Sequence, residues 1–150
     1  AGCDLATMCD IRIASEAALF AESFVKLGLI PGDGGAWFLP RAVGVSNANY
    51  MSFTGESIKA DKALQMGLVS EVLASEKLMA RAMEIAQLIA KNPPHAVRLA
   101  KQLIKGSEKS TLDETLDKSA SFQAVCHAEP DHQEAIAAFF EKRDGNYRTR

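Results

Sequence analysis

The stretch LGLIPGDGGAWFLPR, residues 27 to 41, sets Gly28, Gly32, Gly34 and Gly35 around Pro31 and Asp33, then runs straight into an apolar, helix-like segment. Glycine is costly in backbone entropy, so such a density asks for a reason. One reason is a tight turn between two elements. The other is a loop whose backbone lets a negatively charged ligand come close at a helix N-terminus. The residue types favour the turn. A second place for anion chemistry is the tail KRDGNYRTR, 142–150, where Lys142, Arg143, Arg148 and Arg150 stand against Asp144. Such a terminus is either solvated or an anchor for phosphate. Cys3 and Cys9 are nucleophiles by type, but no histidine lies nearby in sequence to act as base, so both read as small buried apolar groups. His95, His127 and His132 have no partners at metal-binding intervals, and His127 and His132, five apart, lie off a shared helical face. No metal site is expected.

Something must position these residues. Residues 2–8 read as a helix turn, IRIAS (11–15) alternates like a strand, and ALFAE (18–22) is a second short strand candidate. Helical spacing from 36 to 54 is broken at Gly44 and stopped at Gly55. KADKALQMG (59–67) reads as a helix ended by Gly67, and LVSEVL (68–73) as a strand. Trp37 and Phe38 read as core. After residue 74 the pattern is purely helical. Ser75 is a candidate cap for a helix with Leu78, Ala82, Ile85 and Ile89 on one face, stopped by NPP at 92–94. Val97, Ala100, Leu103 and Ile104 mark the next helix, ending near Gly106. Thr111 and Glu114 form a capping-box pattern, and Pro130 opens a last helix with Ile136, Phe139 and Phe140 on its apolar side. Four amphipathic helices of this kind call for partners, so oligomerisation is expected.

With 150 residues, 47% hydrophobic and 24% charged, the chain is globular rather than disordered. A net charge of −2 argues against general nucleic-acid binding, and no apolar run reaches membrane-spanning length. Three cysteines at loose spacings fit a reducing compartment. The opening AGCDLATMCDIRIAS has neither an initiator Met nor a signal-like start, so residue 1 is not expected to be the natural beginning.

AGCDLATMCDIRIAS, LGLIPGDGGAWFLPRAVG, TGESIKADKALQMGLVSEVL and the closing AIAAFFEKR, taken together and in order, resemble the crotonase family, the enoyl-CoA hydratase/isomerase superfamily. They cover almost the whole chain and match the C-terminal part of a family member, slightly over half. The resemblance implies an α/β fold, a partial crotonase-like ββα spiral over residues 1–74, followed by an all-helical oligomerisation region over 75–150 that forms a homotrimer or a dimer of trimers. It implies an acyl-CoA thioester as substrate, no separate cofactor, and a cytoplasmic or organelle-matrix setting. The activity implied is hydration or shifting of a C=C bond beside the thioester, through an enolate-like intermediate. The glycine loop would then lie beside the thioester pocket and lead into a helix.

Residue by residue, the resemblance implies an oxyanion hole with one N–H donor at Ala1, followed by Gly2, and the other in the part of the family absent here. Fixed N–H donors suit an oxygen that becomes negative during the reaction. Were Ala1 the true start, that donor would be a terminal amine, and a 150-residue piece alone is expected to be inactive. The first family glutamate falls at Asp4. The second falls at Phe24, which cannot carry a proton. Glu22, two positions earlier, and Asp33, one position after the site where some family isomerases carry an aspartate, are the other candidates. That site is Gly32 here. The departure at Phe24 leans the implied chemistry toward isomerisation. Phe20, Phe24, Pro31 and Gly32 are expected to line the acyl pocket. Phe139 and Lys142 match positions that touch the CoA of a neighbouring subunit. Two alternatives stay open: a catalytically silent CoA-binding or assembly subunit, and an acyl-CoA thioester hydrolase of the same family.

Overall fold

The computed structural model describes residues 1–147, so Arg148 and Arg150 lie outside the described residues. The chain divides into two compact units, Ala1–Ala82 and Met83–Arg150. The change of pattern in the sequence falls at 74, a few residues earlier.

The first unit opens with helix α1, Gly2–Met8, and strand β1, Ile13–Ser15. Strand β2, Leu19–Phe20, leads into a single 3₁₀ turn at Ser23–Leu27. Helices α2, Gly35–Val43, and α3, Val45–Thr54, follow, separated at Gly44 and closed by Gly55 as the spacing requires. Strand β3, Ile58–Lys59, helix α4, Ala60–Gln65, and strand β4, Glu71–Leu73, complete the mixed part. The strands are shorter than the alternation suggests. β1 pairs in parallel with β4, Ala14 opposite Val72, while β2 pairs antiparallel with β3, Phe20 opposite Ile58. The parallel pair is pinned from one side: the Arg12 side chain donates to Leu68 O at 2.6 Å and Cys9 O at 2.8 Å, and Ser70 N donates to Arg12 O.

The core of this unit is Leu39, Val43, Ala48, Met51, Ile58, Ala63, Leu68 and Val69, with Ala14 beneath. α2 therefore buries Leu39 and Val43, one turn apart, and α3 buries Ala48 and Met51. Trp37 and Phe38 are not core as expected. Trp37 is exposed, with the Arg41 guanidinium stacked 3.3 Å over its ring, and Phe38 is half-buried beside Gly34. The helical phase that buries Leu39 turns position 37 away.

Helix α5, Leu78–Ala90, follows a 3₁₀ turn at Ser75–Lys77. Ser75 does not cap it, because it lies inside that turn and its hydroxyl bonds no amide there. Glu71 of β4 instead accepts two bonds from Arg81, at 2.8 and 2.7 Å, which hold its carboxyl below the usual range. The second unit contains α6, Pro94–Ser107, α7, Leu112–Ala128, and α8, Pro130–Glu141. The capping box at α7 forms as the spacing requires: Thr111 N donates to Glu114 and Glu114 N to Thr111 Oγ1. His127 and His132 do meet, with Nδ1 and Nε2 3.1 Å apart, because Glu129 breaks the helix between them. His127 lies on α7 and His132 on α8, so the face of a single helix does not govern their contact. The apolar residues expected on one side of α8 are largely exposed within the chain: Ile136, Phe139 and Phe140 all face outward. Among the described residues no helix is long and apolar enough to cross a membrane, and no group of three or more His, Cys, Asp or Glu could hold a metal ion.

Candidate active site

Asp4 sits in the first turn of α1, where a carboxylate is favoured by the unpaired amides of the helix end. Its side chain is wholly buried. Glu22 follows β2 and precedes the 3₁₀ turn, and it is 1% exposed. The two carboxyls lie beside each other, and the Cys3 thiol lies against Glu22. Among the described residues no other N–H or O–H group reaches the four carboxylate oxygens, and the Asp4 carboxyl, the Glu22 carboxyl and the Cys3 thiol meet only one another. That is unusual. Taking a lone ionised carboxylate out of water costs several kcal/mol (roughly, after relaxation), and two in one dry site cost more. At least one must therefore hold a proton. Burial first, and then the neighbouring Asp4 carboxyl, push the Glu22 carboxyl up to about 7. Burial also pushes the Cys3 thiol up to about 12, with Glu22 adding to the rise. A thiol that keeps its proton is a weak nucleophile, so Cys3 can offer S–H but not attack.

Cys3 is only half-buried and Cys9 is exposed, which corrects the reading of both as buried. α1 buries Asp4 and Thr7 and exposes Leu5, and Cys9 follows its last turn.

The glycine loop serves this site through its end. Gly34 takes φ 96°, a left-handed conformation that starts α2, with Met8 and the Phe38 ring close around it. Gly35, the first residue of α2, is buried directly against Asp4. A Cβ there would lie 2.8 Å from Asp4 Cγ and closer still to Oδ1. The loop is thus a turn, as its residue types favour, and a close approach of backbone to a carboxyl. Sequence reasoning treated the glycines together and did not single out Gly35. Its signal was available: a glycine at a helical position, where no special backbone angle asks for one.

Of the other site candidates, Asp33 is exposed, and its Oδ2 stands 3.8 Å from the Ala1 nitrogen rather than with the buried pair. Ala1 and Gly2 form the open start of α1, with Ala1 O accepting from Leu5 N. Phe20, Phe24 and Pro31 are half-buried and Gly32 is exposed. In the second unit, Phe139 is exposed and Lys142 ends α8 at φ 55°, a left-handed angle rare for a side-chain-bearing residue. A groove of about 620 Å³ in that unit is lined by Arg98, Lys101, Gln102, Lys105, Gly106, Lys109 and Lys118, and it holds none of the carboxylates above.

The whole chain, residues 1–150, matches the model of the family described as enoyl-CoA hydratase/isomerase. It is 43% identical over 142 residues to a short-chain-enoyl-CoA hydratase of Clostridium acetobutylicum, covering 95% of this chain and 54% of that protein. It is 36% identical to a 1,2-epoxyphenylacetyl-CoA isomerase of Escherichia coli, covering 98% and 56%. The crystal structure of an enoyl-CoA hydratase from Bacillus anthracis superposes with a TM-score of 0.95 at 38% identity, over 97% of this chain and 57% of the other. The chain thus spans about half the length of these relatives.

Proposed function

The chain belongs to the enoyl-CoA hydratase/isomerase family, and from that premise we propose that it carries the acid/base pair of an acyl-CoA enzyme, with Asp4 and Glu22 as that pair. One observation carries the reading: two wholly buried carboxyls stand side by side and, among the described residues, meet only each other and the Cys3 thiol. A structural role would provide partners, whereas a site awaiting substrate and water leaves them open.

The substrate is an acyl-CoA with a C=C bond near the thioester. In hydration, the base takes a proton from water as its oxygen bonds the β-carbon. The electron pair of the C=C bond moves toward the thioester oxygen, and the acid returns a proton to the α-carbon. In isomerisation, one carboxyl removes a proton from carbon and a proton returns at another carbon. A group titrating near 7 can give or take a proton at neutral pH, which is the poise such steps need. Glu22 thus supplies the second carboxyl that Phe24 cannot, so hydration stands beside isomerisation. The Ala1 N–H, at the start of α1, is one donor to the thioester oxygen, and Phe20, Phe24, Pro31 and Gly32 border the acyl chain. Phe139 and Lys142 meet the CoA of a neighbouring copy in a homotrimer or dimer of trimers. The compartment is cytoplasmic or an organelle matrix.

The test uses the full-length protein with crotonyl-CoA and a 3-enoyl-CoA. Asp4→Asn and Glu22→Gln are each expected to lower kcat by roughly 10²–10⁴-fold while leaving binding of the CoA ester nearly unchanged. Full turnover in either variant removes that residue from the pair. Tight binding without turnover in the unsubstituted protein would make it a silent CoA-binding subunit, and release of free CoA thiol would make it a thioester hydrolase.

A further inference from the structure

We propose that Gly35 is a positioning residue, its bare Cα at the first turn of α2 being the surface against which the Asp4 carboxyl rests and which sets how Asp4 faces Glu22. The inference rests on the reading of Asp4 and Glu22 as the working pair.

Three observations meet at this position. Gly35 is helical and has no positive φ, unlike Gly34 at 96°, so backbone freedom does not explain a glycine there. Glycine is among the least favourable residues in a helix, so its presence answers some other need. That need is space. Gly35 is fully buried, and the nearest atoms to any added Cβ are all from Asp4: Oδ1, Cγ at 2.8 Å and Oδ2 at 3.1 Å. Asp4 cannot simply swing aside. It is the short, wholly buried side chain of a helix whose Thr7 hydroxyl caps back onto Asp4 O at 2.7 Å. A methyl group at 35 must therefore turn the Asp4 carboxyl. The same contact makes the pair unequal, because the three atoms nearest an added Cβ at 35 all belong to Asp4. A division of roles between two adjacent carboxyls requires such an asymmetry.

The experiment compares Gly35→Ala with Gly44→Ala in the full-length protein. Gly44 also sits at an end of α2, at φ 77°, but with nothing within 4 Å of an added Cβ. It reports backbone strain without touching Asp4. Gly35→Ala is expected to lower kcat by roughly tenfold or more with KM little changed, as a misdirected group does. It is also expected to move the titration of the Glu22 carboxyl, followed by ¹³C NMR, away from its midpoint in the unsubstituted protein. Gly44→Ala is expected to lower Tm and leave both readouts in place. If Gly35→Ala matches Gly44→Ala in kcat and leaves the Glu22 midpoint unmoved, the inference is overturned. Should Gly35→Ala fail to fold, the double variant with Asp4→Ala decides. Recovery of folding locates the clash at Asp4 and supports the contact, whereas continued misfolding refutes it. The two ideas fail separately: full turnover in Asp4→Asn or Glu22→Gln removes the catalytic reading, while the Glu22 titration still judges Gly35.

Discussion

Glu22 is a buried acid whose proton is retained to about pH 7 in the folded chain and lost near 4.5 in the unfolded one. Between those values the folded state binds more protons than the unfolded state, so stability falls as pH rises. The stabilisation is complete below about 4.5 and gone above about 7, and the span corresponds to roughly 3 kcal/mol. Denaturant unfolding of the protein at pH 5 and pH 8 should show this decline, and Glu22→Gln should flatten it. An unchanged decline in the variant would place the titrating group elsewhere. The thiols make a second expectation at this scale. Iodoacetamide at mild pH should label exposed Cys9 and spare Cys3, whose thiol holds its proton to about 12, until the chain unfolds. Peptide mass measurement reads the order. Asp4 was legible in the sequence because it stands within a motif. Glu22 was legible only as a neighbour of the position lost to Phe24, since no local pattern states which of two nearby carboxyls turns inward. Asp33, an equal candidate by sequence, faces outward beside the Ala1 nitrogen.

Helix ends were the most readable elements, because their chemistry is local. Thr111 and Glu114 close their box as spaced, and Thr111→Ala should cost about 1 kcal/mol, measured by denaturant unfolding. Lys142 carries a different cost, since it ends α8 in a left-handed conformation. Lys142→Gly should stabilise the chain by on the order of 1 kcal/mol, whereas Lys142→Ala should not. Both should weaken binding of CoA esters relative to short thioesters without the nucleotide if the ammonium meets phosphate. Equal loss on both ligand types would end that role. Ser75 was misread because its type suits a cap, but the Glu71–Arg81 pair and a 3₁₀ turn set the entry to α5 instead. Strand length was overread, since alternation continues past the last paired residue.

At the scale of the whole molecule, the chain exposes Leu5, Ile30, Phe53, Ile104, Leu112, Phe139 and Phe140. So many large apolar groups in water favour further burial, and light scattering of the full-length protein should give the mass of a trimer or a multiple of it. The mass of a single chain would remove the trimer from the proposal. The sequence alone determined the family, the order of mixed and helical parts, the breaks at Gly44 and Gly55, the capping box and the place of Asp4. Each of these rests on near neighbours in the chain, where residue type and spacing act directly. Only the tertiary structure decided that Glu22 joins Asp4, that Gly35 bears on that carboxyl, and that Trp37 lies outside the core. Those facts depend on which surfaces of separate elements come together. Packing sets that through the summed burial of the Leu39–Met51–Leu68 core, and no window of the sequence contains it.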